Sequence, residues 1–379
     1  MKIGFMNKGT YQICKRCIMD TSDPEICFDE NGNCNHCNKA LDEAKKSWFP
    51  NEQGKEKLEK LVKTIKDEGK GNEFDCIVGL SGGIDSSFLV YQTVKLGLRP
   101  LVVHVDCGWN SELAVKNIEN ILKLLNLELH THVVDWEEMK DLQIAFFKAN
   151  VANQDVPQDH AIFAALYQFA VDNHVKYVIN GSNFATESIL PASWGYIPLD
   201  SRHIKSIHKK FGKRKLKKFP IVSFFKRYIY FTFIKKMTVV KLLNLIPYDK
   251  NKAIDILQQE LGWRYYGGKH HESRFTKFFQ AYYLPTKFGF DKRRAHLSSL
   301  IISGLLTREK ALQEMGEEIY SENELNDDME YIAKKLDMNL TELKDLISQP
   351  NASYKDYNSN EWLFKLGFKF KKIFKLKQR

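Results

Sequence analysis

Several things are missing from this chain of 379 residues. No uncharged run reaches the roughly 18 residues that a membrane-spanning helix needs, so a transmembrane segment is not expected. The opening residues, Met1 to Lys8, lack the apolar run of a secretory signal. There is no G-x-x-x-x-G-K-[ST], which excludes the Walker type of phosphate loop. Residue 2 is lysine and no Gly-x-Cys-x-Gly occurs, so no cysteine signature of glutamine hydrolysis is present. Only seven cysteines occur, and four of them sit in C-x-x-C pairs. That usage fits a metal in a reducing compartment better than disulfides, and a cytoplasmic location is expected. Finally, the stretch from Ser201 to Tyr248 holds no Asp or Glu.

What is present reads as a folded protein with an anionic partner. Hydrophobic residues make up 43% and charged residues 27%, ordinary values for a globular chain. The length allows two domains, or one with appendages. Net charge is +10 and the pI about 9.0, which suggests a nucleotide, nucleic acid, phosphosugar or lipid surface as partner.

The most informative stretch is Ser81-Gly-Gly-Ile-Asp85-Ser-Ser87. Phe74 to Leu80 before it reads as a buried strand, and Phe88 to Leu96 after it as a helix. A strand, a Gly-rich turn and a helix N-terminus make an anion site, because backbone N–H groups and the helix dipole face the turn. The glycines let backbone approach phosphate and the serines add hydroxyl donors. An ordinary serine-rich turn is the plainer reading. S-G-G-x-D-S resembles the PP-loop of the ATP pyrophosphatases, enzymes that split ATP between the α and β phosphates.

Upstream, Cys14-Lys-Arg-Cys17 and Cys34-Asn-His-Cys37 have the C-x2-C-x16-C-x2-C spacing of a zinc ribbon. Each knuckle aims two thiolates at one ion, and four sulfurs with no open position make a structural site. An iron–sulfur cluster or a thiol redox pair are the alternatives. His36 could replace a sulfur, and Cys27 is spare. Cys27 to Asn33 reads as a hairpin tip with Asn-Gly as its turn. Loss of metal is expected to unfold this module and spare the core. Asn38 to Gly71 reads as one charged amphipathic helical stretch.

Downstream the pattern alternates. Leu101–Asp106, His130–Asp135 and Lys176–Asn180 read as strands, and Ser111–Leu125 and Gln158–His174 as helices. Alternation of this kind predicts an α/β fold with a doubly wound parallel sheet. Ligands then sit beyond the carboxyl ends of the strands, at Leu80, Asp106, Asp135 and Asn180, each of which runs into a polar or Gly-containing loop, Trp136-Glu-Glu among them. The PP-loop resemblance implies an adenine nucleotide α-hydrolase-like fold, with ATP and Mg²⁺. It implies a pyrophosphate cradle of Ser81, Gly82, Gly83, Asp85, Ser86 and Ser87. His104, Val105 and Asp106 resemble the strand that reads adenine and ribose. Gly181 to Ser188 resembles the second phosphate-side loop, with Gly181, Asn183 and Glu187 as candidates. Glu187 reads equally as a metal-holding acid or a helix-cap acid, and His160 as a nucleotide contact or a cap.

Two further stretches narrow the reaction: Tyr265-Tyr-Gly-Gly-Lys269-His-His271-Glu-Ser-Arg274-Phe-Thr-Lys277-Phe-Phe-Gln280 and Tyr282 to His296. With the cysteine pairs and S-G-G-I-D-S-S, they resemble the N-acetyl sugar amidotransferases, over roughly residues 10–310. That family makes acetamidino sugars for O-antigens and for flagellar pseudaminic acid, and the chain is most similar to the pseudaminic acid branch. The resemblance implies adenylation of a sugar N-acetyl carbonyl on a nucleotide-activated sugar, followed by displacement of AMP by ammonia. Ammonia would come from a separate glutaminase subunit or from free ammonium. Lys269, His270, Arg274 and Lys277 are the candidate catalytic residues, with His271, Arg293 and Arg294 nearby. The cations would steady developing phosphate charge and the histidines would move protons. A solvated basic helix is the plainer reading of the same residues.

The expected organisation is a zinc-ribbon module over 1–45 and an ATP-binding domain over 46–200. A basic insert with the substrate region over 201–310 and a helical region with a basic tail over 311–379 complete it. The basic insert reads as a lid over nucleotide-sugar, a peripheral membrane contact or a solvated face, and no nucleic-acid partner is expected. A tRNA thiolation enzyme is the rival, but Cys107 is the only cysteine after Ser81. A zinc-ribbon RNA-binding module on a degenerate ATP fold is a third reading. The sugar stays open between CMP-pseudaminic acid, a related nonulosonate and a UDP-di-N-acetylated sugar.

Overall fold

The computed structural model describes residues 10–268 and 271–367. Five strands form one parallel sheet: β1 (Cys76–Gly79), β2 (Pro100–Asp106), β3 (Leu129–Val133), β4 (Tyr177–Ile179) and β5 (Thr238–Val240). Their order is β3-β2-β1-β4-β5 and every pairing is parallel. The order reverses at β1, so the crevice beyond β1 and β4 is the topological switch point where such sheets bind ligands.

The helices, in chain order, are α1 (Asn35–Ser47), α2 (Glu52–Glu68), α3 (Ile84–Lys95), α4 (Glu112–Leu125), α5 (Trp136–Ala149), α6 (Val156–Asp172), α7 (Phe184–Glu187) and α8 (Ser201–Phe211). They continue with α9 (Lys250–Leu261), α10 (Arg274–Phe278), α11 (Leu284–Phe288), α12 (Lys292–Ile302), α13 (Arg308–Met315), α14 (Glu322–Lys335) and α15 (Leu340–Ser348). Strand side chains alternate between two cores, as a period of two requires. Val78, Leu80 and Val102 pack with apolar residues of α2, α3, α4 and α9. Ile77, Leu101 and Val103 pack with those of α5, α6 and α8. Both faces are covered, so the sheet is doubly wound. The C-terminal region is mainly helical: α14 and α15 bury Met329, Ile332, Leu343 and Ile347 in the second core.

Three elements differ from the sequence reading. The stretch expected as one helix from Asn38 to Gly71 is two, α1 and α2. Pro50 cannot donate to a continuing helix, and Asn51 caps α2 by accepting from the Gly54 N–H. Trp136-Glu-Glu opens α5 instead of a loop, capped by Asp135 on the Glu138 N–H. The basic insert also contributes β5, a three-residue strand directly after Lys235-Lys236-Met237.

The acid-free insert folds because α5 supplies its acids. Asp141 accepts backbone N–H groups of Lys213 and Arg214. Glu138 accepts those of Lys217, Lys218 and Phe219. The two carboxylates lie three residues apart on one helix face and satisfy a loop that has no sheet or helix partner of its own. His160 anchors the next turn: Nδ1–H donates to the Pro198 carbonyl, and Nε2 accepts from the Val222 N–H. Burial holds this imidazole neutral and pushes its pKa down to about 4. It is a clamp between segments, neither nucleotide contact nor helix cap.

Candidate active site

The turn between β1 and α3 is held by its own serines. Ser81 Oγ lies 3.0 Å from Ser86 Oγ. Ser81 Oγ accepts the Gly83 N–H at 3.2 Å, and Ser86 Oγ accepts the Ser81 N–H at 3.2 Å. Gly82 is obligatory: its φ is +80°, and a Cβ there would stand 2.5 Å from the Ala114 carbonyl oxygen. The Gly82 carbonyl also takes the Trp263 indole N–H at 2.9 Å. The result is a rigid loop whose open side faces a cavity of about 760 Å³. That volume has room for a nucleotide with a second substrate beside it.

Ser81, Gly83, Asp85 and Ser86 line this cavity, with His104 and Val105 from the end of β2 and Gly181 and Glu187 from the loop after β4. His104 is fixed as the Nδ1–H tautomer by the Leu80 carbonyl at 2.8 Å, and its Nε2 faces the Asn110 amide at 3.0 Å. Asn183 caps α7 through the Thr186 N–H at 2.9 Å. The capping role weighed for Glu187 therefore belongs to Asn183, and Glu187 lines the cavity at the other end of α7. Gly82, Ser87, Asp106 and Asn183 are not among the lining residues. Ser87 is fully buried beneath the loop. Asp106 accepts from the Gly108 N–H and the Asn110 side chain, which shapes the loop into α4.

The facing wall comes from the segment around α10. Its chain crosses the mouth of β2: Ser111 N–H donates to Glu272 O at 2.8 Å and Arg274 N–H to Trp109 O at 3.1 Å. This puts Glu272, Ser273, Thr276 and Lys277 on the cavity wall. Glu272 comes so close that a Cβ on Gly83 would be 2.5 Å from its Oε1. Tyr266 Oη accepts the Ile84 N–H at 2.9 Å, the position at the α3 N-terminus that a phosphate oxygen would take. Burial, then the Glu272 charge, holds Tyr266 protonated well above its usual range. Lys277 is half-buried, 3.7 Å from Glu324.

The floor is acidic. Asp155, the N-cap of α6, and Asp159 in its first turn line the cavity with Asp85, Glu187 and, as counter-charge, Lys292. Asp155 accepts from Gln158 at 2.5 Å and from Thr276 at 3.3 Å. The Asp159 backbone N–H donates to Asp155 O at 2.9 Å, and no described residue hydrogen-bonds its carboxyl. Burial and the neighbouring Asp155 charge push its pKa up to about 7, against the pull of Lys292. Asp159 was legible only as a first-turn acid of a helix; besides the nearby Asp155, two of the residues that perturb it, Lys292 and Glu187, are distant in sequence.

Other expected residues lie elsewhere. Arg274 points away from the cavity into α14, where Nε and Nη2 meet Asp328 at 2.7 and 2.6 Å and the guanidinium stacks on Tyr331. It joins two helices and is spent as a phosphate ligand. Arg293 lines the cavity but forks onto Asp291 at 2.7 Å and the Glu317 carbonyl at 2.7 Å. Arg294 reaches the N-terminal module, at Ile18 O and Asp20. Lys269 and His270 lie outside the described residues. No residue of the basic insert lines the cavity.

Cys14, Cys17, Cys34 and Cys37 form the one metal-capable cluster found among the described residues, with ligand atoms within 4.8 Å of one another. The Cys14–Cys37 and Cys17–Cys34 sulfurs are each 3.7 Å apart. A tetrahedron with Zn–S bonds of about 2.3 Å has edges of about 3.8 Å, so the donor set fits zinc. Backbone N–H groups of Cys17 and Cys34 point at the Cys14 sulfur, which favours thiolate. His36 is bonded to Asp23 at 2.6 Å and is not a ligand. Cys27 is exposed and outside the cluster.

A family model described as "LPS biosynthesis protein WbpG-like, C-terminal domain" matches residues 272–371. No curated protein matches the chain. Among solved structures, the chain is similar to the NH3-dependent NAD synthetase from Campylobacter jejuni subsp. jejuni NCTC 11168 in complex with the nitrate ion. That likeness has 17% identity and a TM-score of 0.31, and covers 70% of this chain and 97% of the other. It is also similar to NMN synthetase from Francisella tularensis, with 17% identity, TM-score 0.24, and 59% and 92% coverage. Likenesses this shallow carry no functional argument.

Proposed function

We propose that this chain is an ATP-dependent amidotransferase of sugar biosynthesis. It adenylates the N-acetyl carbonyl of a nucleotide-activated sugar and replaces the oxygen with ammonia nitrogen. A WbpG-like C-terminal segment folded against a PP-loop fits an amidotransferase of the PP-loop class. The observation that carries the reading is the shared cavity. The anion loop of β1 and α3 forms one wall, and residues 272–280 of the matched segment form the other.

The reaction suits these groups. The amide oxygen attacks the α-phosphorus of ATP, and pyrophosphate leaves with the bonding electrons. Ammonia adds to the resulting imidate carbon, and AMP leaves with the oxygen, giving an acetamidine. The amide oxygen is a poor leaving group; as part of AMP it departs readily. Ser81, Gly83 and Ser86 hold the pyrophosphate, and Lys277 and Lys292 offset charge that grows on it. Asp85 and Glu187 are hard oxygen donors on neighbouring loops, where a Cβ added to Gly181 would stand 3.7 Å from the Asp85 backbone, and suit Mg²⁺ delivered with the nucleotide. When bound, Mg²⁺ neutralises phosphate charge. Asp159 faces the incoming ammonium and accepts its proton. Ammonia comes from a separate glutaminase subunit or from free ammonium, and the sugar is pseudaminic acid or a related one.

The test is turnover with ATP, ammonium chloride and candidate nucleotide-sugars, followed by AMP and pyrophosphate assay and mass spectrometry of the sugar. An amide converted to an amidine is the expected product. Glutamine should replace ammonium only when a glutaminase is added. Sugar returned unchanged while ATP is hydrolysed at the same rate without it would overturn the reading.

Sulfur transfer is the rival that one observation weakens. Cys107 is buried, its thiol against the Gln158 carbonyl at 3.9 Å, and burial pushes its pKa up, away from the thiolate that sulfur chemistry needs. Cys107→Ser is expected to keep amidine formation within about threefold of the parent, a change of under 1 kcal/mol in barrier.

A further inference from the structure

The basic insert carries a surface that the reaction does not use. After the loop held by Glu138 and Asp141, residues Lys226–Ile234 form a π-helical segment. It is anchored by one face only: Phe231 is buried, and Arg227 lies over the Tyr167 ring at 4.3 Å. The opposite face is apolar and open. Phe225, Phe233 and Ile234 are 68%, 68% and 67% exposed, with Ile229 and Tyr230 beside them. Large side chains on one short element, all this exposed, mark an interaction surface.

A second segment extends it. Residues 361–367 are helical and bury Phe364 against Phe224 and Tyr228, at ring distances of 5.3 and 5.6 Å. The same helix leaves Trp362 59% exposed, and Leu366 is exposed with it. Two neighbouring segments, far apart in sequence, thus both present uncovered apolar side chains.

Charge identifies the occupant. Residues 201–248 hold 14 Lys and Arg and no acid, more than the whole chain's net charge of +10. Lys226, Lys235 and Lys236 are exposed among the apolar residues. The sequence beyond the described residues, 368–379, adds six cations and no acid. A second copy of the chain would bring the same charge and be repelled, and so would the chain's own basic tail. Single-stranded nucleic acid meets the cations and could stack on Phe225, Tyr230, Phe233 and Trp362, but it leaves the aliphatic Ile229, Ile234 and Leu366 uncovered. Aromatic and branched aliphatic side chains ringed by lysine match an anionic bilayer, where the apolar groups enter the acyl boundary and the cations meet headgroups.

We propose that the Phe225–Lys236 segment, with Trp362 and Leu366, is a peripheral docking surface for an anionic phospholipid membrane. The catalytic cavity stays free, since no residue of the insert lines it.

Sedimentation of the full chain with vesicles tests this. Vesicles of phosphatidylcholine with phosphatidylglycerol should bind it at least about tenfold more strongly than phosphatidylcholine alone, and molar salt should abolish the difference. The triple variant F225S/F233S/I234S alters only exposed side chains. It should lose about tenfold or more of the binding to anionic vesicles and keep its thermal midpoint. A second variant, K235E/K236E, should lose binding with the apolar face intact. Absence of binding to anionic vesicles at low salt, or full binding by the triple variant, would overturn the proposal. Self-association abolished by the triple variant without lipid would reassign the surface to a second copy. Poly(U) RNA bound as tightly as the vesicles would reassign it to nucleic acid.

Discussion

Asp159→Asn should abolish ammonium-dependent amidine formation and leave the adenylation half-reaction standing. General-base catalysis of this kind is worth about 10²–10⁴ in rate, so a loss in that range is expected. ATP–pyrophosphate exchange in the presence of sugar should change by no more than about threefold, under 1 kcal/mol in barrier. The split follows from geometry. Asp159 lies on the cavity floor among Asp155, Glu187 and Lys292, and its carboxyl makes no hydrogen bond to a described residue. A carboxyl that held the loop or capped α6 would be bonded; this one is kept for something that arrives.

The pH dependence has a definite sign. With its pKa pushed up to about 7, Asp159 is protonated below that value and cannot take a proton from ammonium. The rate per total ammonium should therefore rise with pH up to about 7 and then level. A route through free ammonia alone would keep climbing. Hydroxylamine, which is mostly neutral at pH 7, should rescue the Asn variant; failure of rescue together with lost exchange would assign Asp159 to structure. Stability supplies a second check. A raised carboxyl pKa means the folded state binds the proton more tightly than the unfolded state between about 4 and 7, so the charged form opposes folding above that window. The Asn variant should then melt a few degrees higher. A change that removes activity while adding stability is the mark of a residue held in place for chemistry.

How much of this was readable in the sequence depends on the range of the forces. The loop Ser81–Ser87 was legible because a strand, two glycines and a helix start constrain a backbone locally, and Gly82 with φ +80° leaves little choice. The four cysteines were legible because knuckle spacing alone sets thiolate geometry. Arg274 was not. A cation in a dense polar stretch reads as a phosphate ligand until Asp328, 54 residues on, claims it at 2.6 Å. Asp159 was overlooked for the converse reason: beyond the local Asp155, its neighbours Lys292 and Glu187 come from α12 and α7. β5 escaped because three residues after a lysine pair carry no periodicity. Its strand character comes from pairing with β4, a tertiary effect that outweighs local preference.

Removing zinc should cost the chain its proposed amidine formation as well as its N-terminal module. The sequence alone suggested that the module would unfold by itself. The contacts tie the module to the rest of the fold. Arg308 donates to the carbonyls of both Cys14 and Cys17, at 3.1 and 3.0 Å. Arg294 holds Ile18 O at 2.8 Å and Asp20 at 3.0 Å, and Ser298 accepts the Ile18 N–H at 3.2 Å. These partners sit on α12 and just inside α13, and the knuckle cysteines are buried in the same core cluster as α5 and α6. Helix α12 also carries Lys292 and His296 on the cavity wall. Structural zinc is worth on the order of 10 kcal/mol to the fold that binds it. Without it, thiolates within 4.8 Å of one another repel. Arg294 and Arg308 then lose ordered acceptors, and α12 loses its outer support. Chelation, or Cys37→Ser, should release one zinc per chain and raise hydrogen exchange in α1 and in α12. Sugar-dependent pyrophosphate exchange should fall more than tenfold, over 1 kcal/mol in barrier. Faster exchange confined to residues 10–47, with turnover unchanged, would show that the arginine struts transmit nothing.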